Sequence, residues 1–449
     1  MNDRWKVLDL FEKQKEMVDK RVSEGVDKYR KGDLEITLID QQGNAIPNVK
    51  ISVKQKNHEF RFGANIFMLD QFETEEKNKL YEKYFCDVFN MATLPFYWNS
   101  TEPEKGKLRY EKGCEYMYRR PPIDLCIEFC AKHGIEPREH ALAYEPTFPK
   151  WIHNEPKEVV KKELERRYQE ISSRYADKIP CIEVTNEMLW WKGKTPFYDD
   201  PEYVEWCFKL AEKYFPNNVL SINEFQGAVW CNATRSNCPY YAYIEKAINN
   251  GARIDAIGMQ FHIFTDRENE YDWTRRLLEP ENLFKKMDLY SQFNKPLQIT
   301  EVTLPALSWE SEDEEFQAEL LEKLYSVWFS HPNMEQIIYW NLVDGYAATA
   351  AKTREECVKE MGNMTIGENV YYGGLIRFDM TPKPAYYRLK NLIEKVWNTS
   401  VVGQTNAQGE YKTRGFYGKY DIEITVDGKT ICKTVQHSKK GDGKFIIQI

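Results

Sequence analysis

The chain has 449 residues, 42% hydrophobic and 14% aromatic, with 62 basic against 70 acidic side chains and a formal net charge of -8. That length allows one large domain and a small one, and mild acidity without a basic stripe argues against a nucleic-acid binder. No run approaches the roughly 18 apolar residues of a membrane span, and the charges scattered through MNDRWKVLDLFEKQKEMVDK leave no apolar core for a signal peptide, so the expectation is a soluble, cytoplasmic protein, or a secreted one if a signal peptide has been removed.

In chain order, residues 1–31 predict an amphipathic helix, with Trp5, Leu8, Phe11, Val18, Val22 and Val26 near helical spacing. LEITLID and VKISVKQ then read as two alternating strands around a turn rich in Gly, Asn and Pro. From Phe60 short apolar strands alternate with charged, helix-like stretches. Eight strands are predicted: RFGANIF from Arg61, MATLPFYW from Met91, REHALAYE from Arg138, CIEVTNEM from Cys181, LSINEF from Leu220, AIGMQFHIF from Ala256, PLQITEV from Pro296 and IIYWNLVD from Ile337. Eight βα repeats predict an α/β chain folded as a (β/α)8 TIM barrel over residues 61–401. No GxGxxG turn follows the first strand, which weakens the doubly wound alternative.

The tail turns back to strand-and-turn sequence, with a hairpin signal at Asp427-Gly428. Strand pairs of this length are marginal alone in water. Residues 32–60 and 402–449 are therefore expected to form one small β-sandwich, with the barrel inserted between its halves. The patterns DxxGxxIPNVxIxV and TNAQGEYxxxGFYGKYDIEI resemble the two halves of transthyretin-like or carboxypeptidase-regulatory-like modules. The ten cysteines are scattered without a CxxC pair, and the seven histidines lack an HExxH motif, so no metal site and no cofactor are expected.

Barrel active sites sit at the carboxyl ends of the strands. Asn186-Glu187 closes the fourth strand, Gln260 and His262 the sixth and Glu301 the seventh. His140 and Tyr144 follow from the third, Asn223-Glu224 from the fifth and Trp340 from the eighth. Two carboxylates, amide and imidazole donors and aromatic walls suit a polyhydroxylated, uncharged ligand, and two facing carboxylates are the minimum for glycoside hydrolysis. Each residue alone reads as a salt bridge, a cap or core filler; their coincidence at successive strand ends carries the inference.

These segments also resemble a family. CIEVTNEM is similar to WDVVNE, and QITEVTLP to ITELD, the acid/base and nucleophile motifs of glycoside hydrolase family 10, the retaining β-1,4-xylanases. REHALAYEPTFPKWI, SINEF, IDAIGMQFHIF, IIYWNLVDGY and GGLIRFDMTPKPAYYRL resemble further motifs of that family in order, from about residue 60 to 395. The resemblance implies Glu187 as general acid/base and Glu301 as nucleophile. It implies Asn186 on the sugar 2-hydroxyl, His262 and Gln260 beside the nucleophile, and His140 and Tyr144 on the glycone side. Trp340 is the implied platform, with Trp98 and Asn223 completing the substrate-binding set. The implied pair separation is about 5–5.5 Å, with Glu301 ionised and Glu187 protonated near neutrality.

Where the family carries an ENEMKW-like glycone-binding stretch, this chain has TLPFYWNSTEPEKGK, of which Trp98 and Glu102-Pro103 correspond. Ala347-Ala348 replace the second tryptophan of the eighth-strand motif, and Tyr144-Glu145 stand for Trp-His. Phe96, Tyr97, Trp98, Tyr144, Trp190 and Trp340 are expected as flat cleft walls. The expected activity is retaining hydrolysis of β-1,4-xylosidic bonds in xylan or, for a cytoplasmic protein, imported xylo-oligosaccharides. The alternatives are a retaining glycosidase for another β-linked glycan or plant glycoside, and a non-catalytic carbohydrate-binding protein. The expected partner is the oligosaccharide or polysaccharide, with neither nucleic acid nor membrane.

Overall fold

The structure, a computed structural model, describes residues 3–189, 193–234, 237–347, 354–426 and 428–449. Eight parallel strands close into a barrel: β3 (Arg61–Asn65), β4 (Met91–Pro95), β5 (Glu136–His140), β6 (Cys181–Asn186), β7 (Val219–Asn223), β8 (Ala256–His262), β9 (Leu297–Thr303) and β10 (Met334–Tyr339). β10 pairs back to β3, with Ile337 opposite Phe62. β4, β6, β8 and β9 are buried at every position, as expected of parallel strands covered on both faces. The eight strand positions agree with those read from the sequence.

Helices cover the barrel because their apolar residues recur on one face. Along Ser311–Ser330, Phe316, Leu320, Leu324, Val327 and Trp328 are buried, while Glu312, Asp313 and Glu314 occupy the first turn, where the helix dipole favours negative charge. Helix Ile123–His133 stops at Gly134, whose φ of 65° is the left-handed cap that glycine adopts without strain. Cys126 and Cys130 are buried on one face of that helix as free thiols.

The predicted N-terminal helix is broken in two places. Asp3–Leu8 is a 3-10 turn, followed by helices Asp9–Lys13 and Lys15–Arg30. Gln14, at the second break, donates to Glu279 and accepts from the Glu281 backbone. Gly25 meets the Ser311–Ser330 helix so closely that a Cβ would lie 2.4 Å from Ser330 O. Arg4 is buried with its guanidinium on Glu270 and Asp313, pinning the start of the chain to the loop side of the barrel.

β1 (Lys31–Ile39) and β2 (Lys50–His58) are present, but they do not pair with each other. β1 lies between β12 (Glu410–Phe416), antiparallel, and β15 (Lys444–Gln448), parallel. β2 lies between β11 (Ser400–Gln404) and β13 (Gly418–Val426), with β14 (Lys429–His437) at the edge. The turn between β1 and β2 thus carries the chain from one sheet to the other. Leu34, Ile36 and Leu38 of β1 meet Ile51 and Val53 of β2 and Tyr420, Ile422 and Ile424 of β13 in a core separate from the barrel's. β13 and β14 form the hairpin expected at Asp427-Gly428; Asp427 itself lies outside the described residues. Among the described residues no helix is long and apolar enough to cross a membrane.

Candidate active site

The strand ends surround a cleft of about 430 Å³. His140, Tyr144, Asn186, Glu187, Gln260, His262, Glu301 and Trp340, expected from the sequence, all line it. The barrel brings them together because each follows or ends a neighbouring strand. Glu187 comes just after β6 with φ of 54°, a left-handed conformation costing about 1 kcal/mol or more for a residue with a Cβ. Its amide donates to the Asn223 carbonyl at 3.2 Å, which holds that turn.

Glu301 is 5% exposed and surrounded by donors. Asn223 Nδ2 and Gln260 Nε2 each lie 3.1 Å from Oε1, and His262 Nε2 lies 3.1 Å from Oε2. His262 Nδ1 faces the Thr303 hydroxyl at 2.8 Å. Burial pulls this imidazole down to about 4, so it is neutral, with Nε2 turned to Glu301 and Nδ1 to Thr303. Gln260 Nε2 also reaches Glu187 Oε1 at 2.9 Å, so one amide bridges both carboxyls. Tyr144 donates to Glu187 Oε2 at 2.7 Å. Asn186 Oδ1 accepts from Asn223 and Gln260, which leaves its NH2 for a ligand.

Burial, countered by His140 and reinforced by Glu187, pushes Glu301 up to about 8. Burial acts on Glu301 in this way because the barrel encloses that carboxyl.

Beneath Glu301 lies a charged layer that sequence reasoning missed. Arg138 pairs with Glu183 at 2.5 Å, and His140 Nδ1 meets the same carboxyl at 2.7 Å. Burial opposes the charge on His140, but Glu183 and Glu301 raise its pKa on balance. Ligand atoms of His140, Glu183 and Glu301 lie within 4.8 Å of one another, the one group among the described residues that could hold a metal ion. Arg138 already supplies positive charge there. The sequence signal was available: a charged residue inside a strand buried on both faces needs a buried partner, and both Arg138 and Glu183 qualify.

Three expectations are corrected. Trp98 is 1% exposed, donates to Glu102 Oε2 at 2.9 Å, and packs on Phe148 and Trp151. The short helix Trp98–Thr101 starts there, so Tyr97 lines the cleft while Trp98 lies behind it in the core. Asn223 is fully buried; its NH2 holds Asn186 and Glu301, and its oxygen accepts from Thr300 at 2.6 Å. It positions the site from below and is absent from the cleft surface. Phe96 is likewise core, against Tyr175. Trp190, Trp191 and Ala348 lie outside the described residues. The cleft also contains Phe67, Arg119, Arg120, Phe264 and Glu368, which sequence reasoning did not single out.

A family model, Glycosyl hydrolase family 10, matches residues 53–391. The chain is 24% identical over 438 residues to the anti-sigma-I factor RsgI6 of Acetivibrio thermocellus, covering 94% of this chain and 49% of that protein. It is 24% identical over 435 residues to endo-1,4-beta-xylanase 3 of Arabidopsis thaliana, covering 94% and 50%. The chain thus spans about half the length of these curated relatives. Native xylanase 10B from Thermotoga maritima superposes with a TM-score of 0.58 at 21% identity, over 75% of this chain and 96% of that one. Xylanase 10B from Thermotoga petrophila in complex with xylobiose gives 0.56 at 20% identity, over 75% and 95%.

Proposed function

The chain belongs to glycosyl hydrolase family 10, and from that premise we propose that it is a retaining β-glycoside hydrolase acting on β-1,4-xylosidic bonds in xylan or xylo-oligosaccharides. The Gln260 bridge carries the reading. Its Nε2 lies 2.9 Å from Glu187 Oε1 and 3.1 Å from Glu301 Oε1. Those oxygens are no further apart than the sum of the two distances, short of the ~6.5 Å at which inverting pairs begin. Too little room remains for an attacking water between carboxylate and sugar.

In the reactive arrangement the pair's proton sits on Glu187. Glu301 attacks the anomeric carbon while Glu187 protonates the departing oxygen. The ester cancels the charge of Glu301, and Glu187 then takes a proton from the water that releases the sugar. Asn186 offers its NH2 where a 2-hydroxyl strengthens its bond in the oxocarbenium-like transition state. Trp340, edge-on to Phe67 at 5.2 Å and His140 at 5.4 Å, gives the sugar a fixed apolar face.

Incubation with xylan and a xylo-oligosaccharide ladder, following the first-formed anomer by NMR, tests the proposal. A β-anomer released first is expected; an inverted product overturns the mechanism, and turnover confined to other glycosides overturns the substrate. A second reading, a sugar-binding domain without turnover, draws on the likeness to an anti-sigma factor. Saturable xylo-oligosaccharide binding with no hydrolysis would favour it.

A further inference from the structure

The loop between residues 101 and 123 brings two consecutive arginines to the cleft. Arg120 lies 4.2 Å over the Tyr97 ring and 5.3 Å from that of Phe67. Its Nη1 donates to the Arg119 carbonyl at 2.8 Å. Arg119 is 4% exposed, sits 5.4 Å from the Phe67 ring and donates through Nη1 to the Tyr346 carbonyl at 2.6 Å. Its Nε has no hydrogen-bond partner. Among the described residues, neither guanidinium has a carboxylate within 4.0 Å.

The other enclosed arginines behave differently. Arg30 and Arg167 are also buried without a carboxylate partner among the described residues, but they spend their forks on the protein, Arg30 on the Phe329 and His331 carbonyls and Arg167 on the Leu142 and Phe96 carbonyls and the Thr101 hydroxyl. Arg138 is paired with Glu183. Arg109 spends Nε, Nη1 and Nη2 on the carbonyls of Glu115, Ser100 and Arg120. Arg120 uses one nitrogen on the protein and turns the rest of its fork to the cleft. An enclosed guanidinium whose fork is not spent on the protein is stabilised by a bound anion, which supplies both hydrogen bonds and charge. Burial lowers Arg120 to about 10, with Arg119 and Arg109 adding to the shift and Tyr97 and Glu368 opposing it. Planar guanidinium forks match a carboxylate in two parallel hydrogen bonds.

Position specifies the rest. Tyr97, under Arg120, meets His140 Nε2 through its hydroxyl at 3.0 Å, and Phe67, beside both arginines, packs on Trp340. The arginines therefore stand on the His140–Trp340 side of the carboxyl pair. The second cavity, of about 760 Å³, opens past His262 and Phe264. We propose that Arg119 and Arg120 form a subsite for the carboxylate of an acidic sugar, a uronosyl unit borne by the glycone-side part of the substrate. The proposal rests on the glycoside-binding reading of this cleft and adds a charge requirement to it.

Titration calorimetry separates the two claims, because it requires no turnover. A Glu301→Gln protein is titrated with a neutral xylo-oligosaccharide and with one of equal length carrying a glucuronosyl branch near the non-reducing end. Expected is binding of the acidic ligand about tenfold tighter or more, with the advantage shrinking as salt is raised. Adding Arg120→Gln should bring the two affinities together, and Arg120→Lys should restore part of the difference. Equal or weaker binding of the acidic ligand overturns the proposal, as does binding of neither. So does an advantage that survives Arg120→Gln in a protein whose circular dichroism is unchanged. A preference for the acid without hydrolysis by the wild type would leave this subsite standing and remove the hydrolase. Hydrolysis without the preference would do the reverse.

Discussion

The Tyr144 hydroxyl donates to Glu187 Oε2 over 2.7 Å, fixing one oxygen of a carboxyl whose other oxygen faces Gln260 Nε2 at 2.9 Å. A proton donor held at both oxygens has one orientation toward the glycosidic bond. Tyr144→Phe removes one of these restraints with little change of shape. A hydrogen bond to a neutral group contributes about 0.5–1.5 kcal/mol, so kcat should fall about two- to tenfold. Steady-state kinetics on an aryl xylobioside would measure it, and an unchanged kcat would remove Tyr144 from the positioning role.

Glu301→Gln should abolish turnover while stabilising the fold in alkaline solution. The wild-type carboxyl rises from its ordinary 4.5 to about 8 on folding, chiefly by burial. A raised carboxyl binds its proton more tightly in the folded state, so its contribution is intact below about 4.5 and is lost as pH climbs through 8. The amide does not ionise and escapes that loss. Thermal melts should show the variant gaining on the wild type from about pH 5 to about pH 8 by a few kcal/mol, at about 1.4 kcal/mol per unit. A gap that does not widen with pH contradicts the assignment.

Arg138→Met should be among the most damaging single changes. It leaves Glu183 buried at 0% exposure with the imidazole of His140 and, at 3.4 Å, the Asn223 amide as its partners. Breaking a buried pair from one side costs about 3–5 kcal/mol. Urea unfolding should show the loss. Replacing Arg138 and Glu183 together by Met and Gln should cost less than the sum of the two single changes.

The two tryptophans should separate cleanly. Trp340 lines the cleft, whereas Trp98 is enclosed with its indole on Glu102. Trp340→Ala should raise KM strongly with a modest drop in melting temperature. Trp98→Ala, a large-to-small change in a packed interior, should cost about 3–5 kcal/mol. A Trp98→Phe protein with wild-type stability but weakened substrate binding would contradict the placing of Trp98 in the core.

The pattern of legibility follows from what each residue depends on. The barrel was readable because parallel strands buried on both faces are nearly continuous apolar runs, and all but the charged β5 stand out against charged helical stretches. The residues at strand ends were readable because chain order and barrel order coincide, so Asn186, Gln260 and Glu301 converge without any loop having to be placed. Trp98 and Phe96 were misplaced because direction reverses within the short turn after β4, where one residue decides which side faces the ligand. Arg119, Arg120 and Glu368 were missed because they come from long loops whose path no periodicity encodes. The pairing of β1 with β12 and β15 was hidden for a different reason. Their alternation shows that each has a buried face but leaves its partner open, and a tempting local hairpin lay between β1 and β2.

That pairing has a consequence for the order of assembly. β1 is made early, yet its neighbours β12 and β15 begin at Glu410 and Lys444, and β2 waits for Ser400 and Gly418. Until then both early strands carry unpaired edges, the template for association with other chains. The barrel sequence is complete well before the module can close, so during synthesis the large domain forms while two sticky strands trail from its front. The strands from Ser400 to Gln448 act as a clasp fastened after the barrel. A chain cut short before it should keep its barrel elements but lose solubility first, in proportion to its concentration.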